Sequence, residues 1–291
     1  MRRIPASRNL STARGRVMTL LMVWREGEAD RIWIVSDSRL SKDGPTGGID
    51  RMTDRAAKIL EADLHLLGRD PDHPPLKSRA IGFAYTGSTL VALEAYAAVL
   101  PLWARLTSSG EQTLPSMGDC ARHLGVFLKA YAFDLANSGA VGTECILLGR
   151  DDEAGVVETW QVKVRRAAAG IELTVDQLKL GNGELLLFGS GKDDAAARLR
   201  DLNPEAKPWR REPLDMLREQ LSQDEPGTVG GGVQVAFAAP DRFHLSADVT
   251  VAEWGKASWG DRWVAIRFRG FDLSEVNQVG HTFASLAGVS G

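Results

Sequence analysis

The stretch "MTLLMVWREGEADRIWIVSDSRLS", residues 18–41, decides how the rest of the chain is read. Residues 19–24 and 31–37 are short apolar runs rich in β-branched and aromatic side chains, and the polar "REGEAD" joins them. That pattern predicts a β-hairpin. The first run starts at Thr19, directly after Met18, so the chain carries a second candidate start flush against its first strand. The second run ends in Asp37.

Outward from the hairpin the elements do not alternate strand with helix. "AAKIL" and "HLLG" predict a second strand pair near 56–68, "RDPDHPPLKS" (69–78) a loop, and "RAIGFAYTGS" (79–88) a strand ending in a turn. A helix over 89–106, kinked by Pro101, and another over about 117–136 follow. In the second, Leu124, Phe127, Leu128, Tyr131 and Leu135 fall on one helical face, and Ser116 with Asp119 supplies a capping-box-like start. Strands return at 143–151, 156–164 and 183–191, helices at 193–202 and 213–223, and a last hairpin in "GGGVQVAFAA" and "RFHLSADVTV". Strands, two helices, strands, two helices, strands is the order of an α+β protein, and two antiparallel sheets between helix pairs, a four-layer αββα sandwich, fit it. Residues 250–291 read as a C-terminal extension packing on the domain or on a neighbouring subunit: Trp254, Trp259 and Trp263 crowd together, and Val264, Ile266 and Phe268 alternate as in a half-buried strand.

Bulk properties narrow the function. The chain has 291 residues, 44% hydrophobic and 25% charged, with a net charge of −3. That is an ordinary globular composition with no electrostatic footprint for nucleic acid, and no apolar run is long enough to span a membrane. Five arginines (Arg2, Arg3, Arg8, Arg14, Arg16) and no acid stand in residues 1–18, which read as a basic leader: a propeptide or a mis-assigned start. Cys120 and Cys145 form no CxxC pair and suit a reducing cytoplasm as buried structural thiols. The five histidines never reach metal-ligand spacing. "FGSGKDD" (188–194) follows a strand and precedes a helix, but its Lys is followed by Asp, and two acids at a helix start repel phosphate.

What remains is a set of parts in one order: Thr19, Asp37, Lys58 in "RAAKILEA", and the turn in "GFAYTGSTL". A Thr hydroxyl needs a base to take its proton, and an N-terminal Thr carries one in its own α-amine. A nearby Lys lowers the pKa of that amine, an Asp holds the Lys, and backbone N–H groups at a Gly-rich turn stabilise the oxyanion. Translation from Met18, followed by Met removal, exposes Thr19 as the first residue.

These residues resemble those of proteasome β-type subunits and the related peptidase subunit of bacterial ATP-dependent proteases, over roughly 19–248. "TLLMVW" resembles the family's first strand, "IVSDSRLS" its Asp-Ser-Arg strand end, "AAKIL" the strand bearing its Lys, and "LFGSG" its Gly-Ser-Gly. The resemblance implies the fold of N-terminal-nucleophile hydrolases over 19–249, with Thr19, Asp37, Lys58 and Ser190 catalytic and the backbone at Ala84 and Gly87 holding the oxyanion. Arg39, Asp224 and Thr228 are implied as accessory residues. It departs from the family in a longer Asp37–Lys58 loop, in Ala84 where the family has Gly, and at Pro226 and Val229, where only a shift brings Asp224 and Thr228 into place. It further implies a cytoplasmic threonine peptidase acting on peptide or unfolded protein, self-assembled into a ring, with no metal or organic cofactor. An ATPase partner belongs to the same picture, though no residue identifies one. Two other readings fit the same residues: a non-catalytic structural or regulatory ring subunit, and a small-molecule amidase of the same fold.

Overall fold

The computed structural model describes residues 19–26, 30–43, 48–68, 73–109, 113–139, 141–203, 205, 208–223, 229–253, 262–269, 271–272, 278–279, 283–284 and 288–290. The leader 1–18, Asp224, Pro226, Thr228, Trp254 and Trp259 lie outside these residues.

The chain is mixed α+β. Its elements are β1 (Leu21–Glu26), β2 (Arg31–Asp37), β3 (Leu40–Asp43), β4 (Ile49–Thr53), β5 (Ile59–Leu66), β6 (Lys77–Gly87), α1 (Thr89–Trp103), α2 (Met117–Asp134), β7 (Thr143–Asp151), β8 (Val156–Ala167), β9 (Gly170–Gln177), β10 (Leu185–Phe188), α3 (Lys192–Leu202), α4 (Glu212–Ser222), β11 (Val233–Ala238), β12 (Phe243–Glu253), β13 (Arg262–Phe268), β14 (Phe271–Asp272), β15 (Gln278–Val279), β16 (Phe283–Ala284) and β17 (Gly288–Ser290). One eight-stranded sheet runs β10-β1-β2-β11-β12-β13-β14, antiparallel except that β17 pairs with β12 in parallel. A five-stranded antiparallel sheet runs β5-β6-β7-β8-β9, and β3-β4 and β15-β16 are separate two-stranded ribbons.

β1 shows why its sequence is a continuous apolar run rather than an alternating one: both faces are buried. Leu20, Met22 and Trp24 pack with Ala195 and Leu199 of α3 and Leu214 and Leu217 of α4. Leu21 and Val23 pack instead with Ile59, Ala84, Ile146 and Leu148 of the five-stranded sheet. Trp24, fully buried, also donates its indole N–H to Arg210 O at 2.7 Å, which fixes the entry to α4. On its other face the five-stranded sheet buries Phe83, Tyr85 and Leu147 against Val91 and Ala95 of α1 and Leu124 and Leu128 of α2. Each fully buried side chain of this size contributes roughly 1.5–3 kcal/mol.

The local signals hold where the chemistry is strong. Ser88 caps α1 by accepting from Val91 N, and Ser116 caps α2 by accepting from Asp119 N at 3.1 Å. Leu124 and Leu128 are buried, with Phe127, Tyr131 and Leu135 packed beside them, as the spacing predicts. Other expectations are corrected. The region near 56–68 holds one strand, β5, paired with β6, and no strand pair. The long Asp37–Lys58 segment contains the β3-β4 ribbon, and β9 adds an unforeseen edge strand beside β8. Among the described residues no helix is long and apolar enough to cross a membrane.

Candidate functional site

The end of β2 places Asp37, and its carboxylate organises everything around it. Oδ1 accepts from Leu20 N at 3.0 Å and from Lys58 Nζ at 2.8 Å. Oδ2 accepts from Arg39 N at 3.1 Å and Gly230 N at 3.2 Å. The oxygens therefore use about four lone-pair sites on one ammonium and three main-chain N–H groups, full satisfaction for a buried carboxylate. The first strand is held to the second at the same point: Ser36 Oγ donates to Leu20 O at 2.9 Å.

Lys58 lies just before β5, with neither its side chain nor that of Asp37 exposed. Burial pulls the Lys58 pKa below the ordinary value of 10.5; the Asp37 charge and hydrogen bond oppose that shift without cancelling it, and the Arg39 charge adds to it.

Thr19 is 1% exposed and sits under the turn after β10. Gly191 N donates to Thr19 O at 3.4 Å. A Cβ on Gly189, whose φ is +86°, would stand 1.9 Å from that same oxygen. Only glycine fits there, because the backbone is left-handed and the approach is closer than any side chain permits. Asp37 Oδ1 thus ties the peptide that follows Thr19 to the buried ammonium, and the 189–191 turn closes over Thr19 from the other side.

Residues of the Asp-Ser-Arg stretch each have a separate task. Ser38 N donates to Gly230 O at 3.2 Å, and Ser38 Oγ accepts from Gly232 N at 2.7 Å. Arg39 Nε donates to Asp54 Oδ1 at 2.7 Å, and Arg51 Nη1 reaches Asp54 Oδ2 at 3.1 Å. The Arg39 hydrogen bond and charge hold the Asp54 carboxyl below its ordinary range. A Cβ on Gly230 would fall 2.0 Å from Arg39 Cζ, so glycine is what admits the guanidinium.

The structure brings Thr19, Asp37, Lys58 and Arg39 together. Ser190 is exposed at the tip of the turn between Gly189 and Gly191. Ala84 is not available in the way the resemblance implies. It is fully buried in mid-β6, opposite Ile59 and Ile146, among the apolar side chains between the sheets. Since Tyr85 N donates to Lys58 O, the alternation of an antiparallel ladder turns the Ala84 N–H toward β7. Gly87 closes β6 opposite Thr143, one residue before the α1 cap. Gln234, which sequence reasoning missed, is 2% exposed and bridges Asp37 to the Lys58 segment. Its only local signal is a polar residue within an apolar strand run. Among the described residues no group of three or more His, Cys, Asp or Glu is placed to hold a metal ion.

No protein-family model matches the chain, and no curated protein matches it. Among solved structures it is similar to Anbu from Hyphomicrobium sp. strain MC1, with 14% identity, 78% of this chain and 84% of that one covered, and a TM-score of 0.47. It is also similar to Anbu (ancestral beta-subunit) from Yersinia bercovieri, with 12% identity, 78% and 86% covered, and a TM-score of 0.46. A third is the helical assembly of the Anbu complex from Pseudomonas aeruginosa, with 13% identity, 74% and 79% covered, and a TM-score of 0.46. The solved structures named are Anbu proteins, not the proteasome β-type or bacterial peptidase subunits that the motifs suggested, and that expectation is corrected accordingly. Likeness at this level extends neither activity nor assembly to this chain.

Proposed function

We propose that this chain is a hydrolase of peptide amide bonds in which Thr19, once it is the N-terminal residue, is the nucleophile. The observation that carries the reading is the shared oxygen of Asp37, which accepts both Leu20 N and Lys58 Nζ. It fixes the residue after the nucleophile and a buried cation around one point. The α-amine of Thr19 takes the proton of its own hydroxyl, and Thr19 Oγ1 attacks the substrate carbonyl. The scissile C–N bond breaks as the α-ammonium passes that proton to the leaving amine, and water then hydrolyses the acyl-enzyme ester to the acid and free Thr19. The Lys58 charge keeps the amine neutral at working pH, Asp37 anchors Lys58, Ser190 assists proton handling, and main-chain N–H near Gly87 meets the oxyanion. Asp224 and Thr228 keep their accessory role in this reading.

The same reading divides the chain into a leader 1–18, a catalytic domain 19–249 and an extension 250–291. It takes the domain as a four-layer αββα sandwich, supported by three apolar cores that each draw on a different pair of layers. It also takes the working form as a ring of copies in the cytoplasm. Leu90 and Leu102 on α1 and Val126 and Phe133 on α2 support self-association, since they are exposed on helices whose inner faces are already packed.

One observation favours a second reading. Thr19 is buried at 1% exposure, which suits a non-catalytic assembly subunit if the chain is never cut before it. Sequencing the N-terminus of protein from its native host, then assaying a fluorogenic peptide amide, separates the two. A Thr19 terminus with hydrolysis abolished by Thr19→Ala supports the hydrolase. An uncut leader and no turnover overturns it in favour of the assembly subunit.

A further inference from the structure

We propose that Gln234 is a positioning residue that sets Lys58 onto Asp37: its side-chain amide holds the Lys58 N–H, while the main-chain bond from Tyr85 N holds the Lys58 carbonyl. The inference rests on the Thr19 hydrolase reading for its catalytic consequence only.

Residues 55–58 belong to no strand, so their main-chain groups need partners outside a ladder. Tyr85 N reaches Lys58 O and Ser38 O accepts from Ala56 N, and Gln234, from the other sheet, takes Lys58 N and Ala56 O. Its Oε1 accepts from Lys58 N at 2.9 Å and Ile59 N at 3.3 Å. Its Nε2 donates to Ala56 O at 2.8 Å and Asp37 O at 3.2 Å. Both lone pairs and both N–H groups are used, and a flipped amide would set oxygen against two carbonyls and NH₂ against two N–H groups. One amide therefore grips the main chain on either side of Lys58 and the main chain of Asp37 itself. A buried ammonium whose hydrogen bond runs to one carboxylate needs that register, because a shift of about 1 Å can cost on the order of a hundredfold in rate.

Gln234→Glu is the discriminating variant. The introduced carboxyl keeps the acceptor side. When ionised it loses the donor and sets a negative oxygen against Ala56 O and Asp37 O; when protonated its O–H restores one donor. The charged groups around it are Asp37 on β2, Lys58 ahead of β5, and the Arg39–Asp54 pair beyond Ser38. The chain beginning at Thr19 is assayed at pH 5.5 and 8.5, with melting at each pH to establish that it is folded. The expected result is a kcat at pH 8.5 at least about tenfold below wild type with KM little changed, recovering toward wild type at pH 5.5. A folded variant whose pH profile overlays that of wild type overturns the proposal.

Hydrogen exchange of the Lys58 and Ile59 amides on the same samples separates this inference from the hydrolase reading. Protection lost at alkaline pH and regained at acid pH supports positioning by Gln234 even where wild type shows no turnover, an outcome that sinks the hydrolase alone. Unchanged protection in the variant at both pH values sinks the positioning role, whatever the activity. Where Gln234→Glu fails to fold at pH 8.5, Gln234→Met is measured at neutral pH instead: lost protection of the Lys58 and Ile59 amides in the folded variant sustains the proposal, and wild-type protection overturns it.

Discussion

Lys58 Nζ stands 2.8 Å from Asp37 Oδ1 with both side chains fully buried, yet the two partners are not equally dependent on each other. Asp37 also accepts three main-chain N–H groups, from Leu20, Arg39 and Gly230. Removing Lys58 leaves a carboxylate that still has donors. Removing Asp37 leaves a buried ammonium and three N–H groups with nothing to bond.

Asp37→Leu should therefore cost about 3–5 kcal/mol, the range for an uncompensated buried charge. Lys58→Met should cost less, on the order of 1–3 kcal/mol, as for one lost charged hydrogen bond. Urea denaturation of the two variants measures the difference. Equal costs, or a larger cost for Lys58→Met, would show that the main-chain donors do not support the carboxylate.

The turn over Thr19 is the second point of leverage. Gly189→Ala adds a Cβ 1.9 Å from Thr19 O at a φ of +86°. The left-handed backbone alone costs roughly 1–2 kcal/mol, and the overlap must displace the main chain of Thr19. Gly48→Ala, with nothing within 4 Å of the added Cβ among the described residues, is the control and should stay within about 0.5 kcal/mol of wild type. Under the hydrolase reading, Gly189→Ala loses turnover as well as melting temperature. A variant as stable as the control would remove this turn from the site.

The Arg39–Asp54 pair gives an acid-side signature. The pKa of Asp54 is lowered in the folded chain from an ordinary 3.8, chiefly by Arg39. Its contribution is present above the unfolded value and disappears as pH falls through the lower folded value. Arg39→Met should flatten the stability profile below about pH 4 and cost on the order of 1 kcal/mol at neutral pH. Parallel acid limbs for variant and wild type would assign that slope to other carboxylates.

Much of this was legible in the chain, and the gaps have physical causes. Residues 19–24 and 31–37 read as strands because burial on both faces demands unbroken apolar runs. Asp37 and Lys58 could be singled out by their order beside Thr19. The β3-β4 ribbon was hidden because Ile49 and Met52 on it are exposed, so its residues carry no one-faced apolar pattern. The single strand β5 looked like two because Glu61 and Asp63 interrupt the apolar residues of its other face. Gln234 and Gly230 stand more than 170 residues from the partners they bond in the site. Nothing local distinguishes a glutamine that stitches two sheets from one that faces solvent.

The depressed pKa of Lys58 fixes the sign of its alkaline behaviour. Between its lowered folded value and the ordinary 10.5, the unfolded chain binds more protons than the folded one. This group's contribution to stability therefore rises with pH through that window, by up to about 1.4 kcal/mol per unit. Other groups push the opposite way. Burial raises the Cys120 thiol to about 11 and Tyr85 to about 12, and carries Cys145 well above 9.0, so each favours unfolding as pH climbs past its ordinary value. The Lys58 effect is read as a difference, wild type minus Lys58→Met, from urea midpoints between pH 7 and 10, where the shared thiol and phenol terms cancel. That difference should move in favour of wild type as pH rises. A difference that is flat, or that favours Lys58→Met at higher pH, would mean that Asp37 outweighs burial and that Lys58 keeps its proton as firmly as a surface lysine.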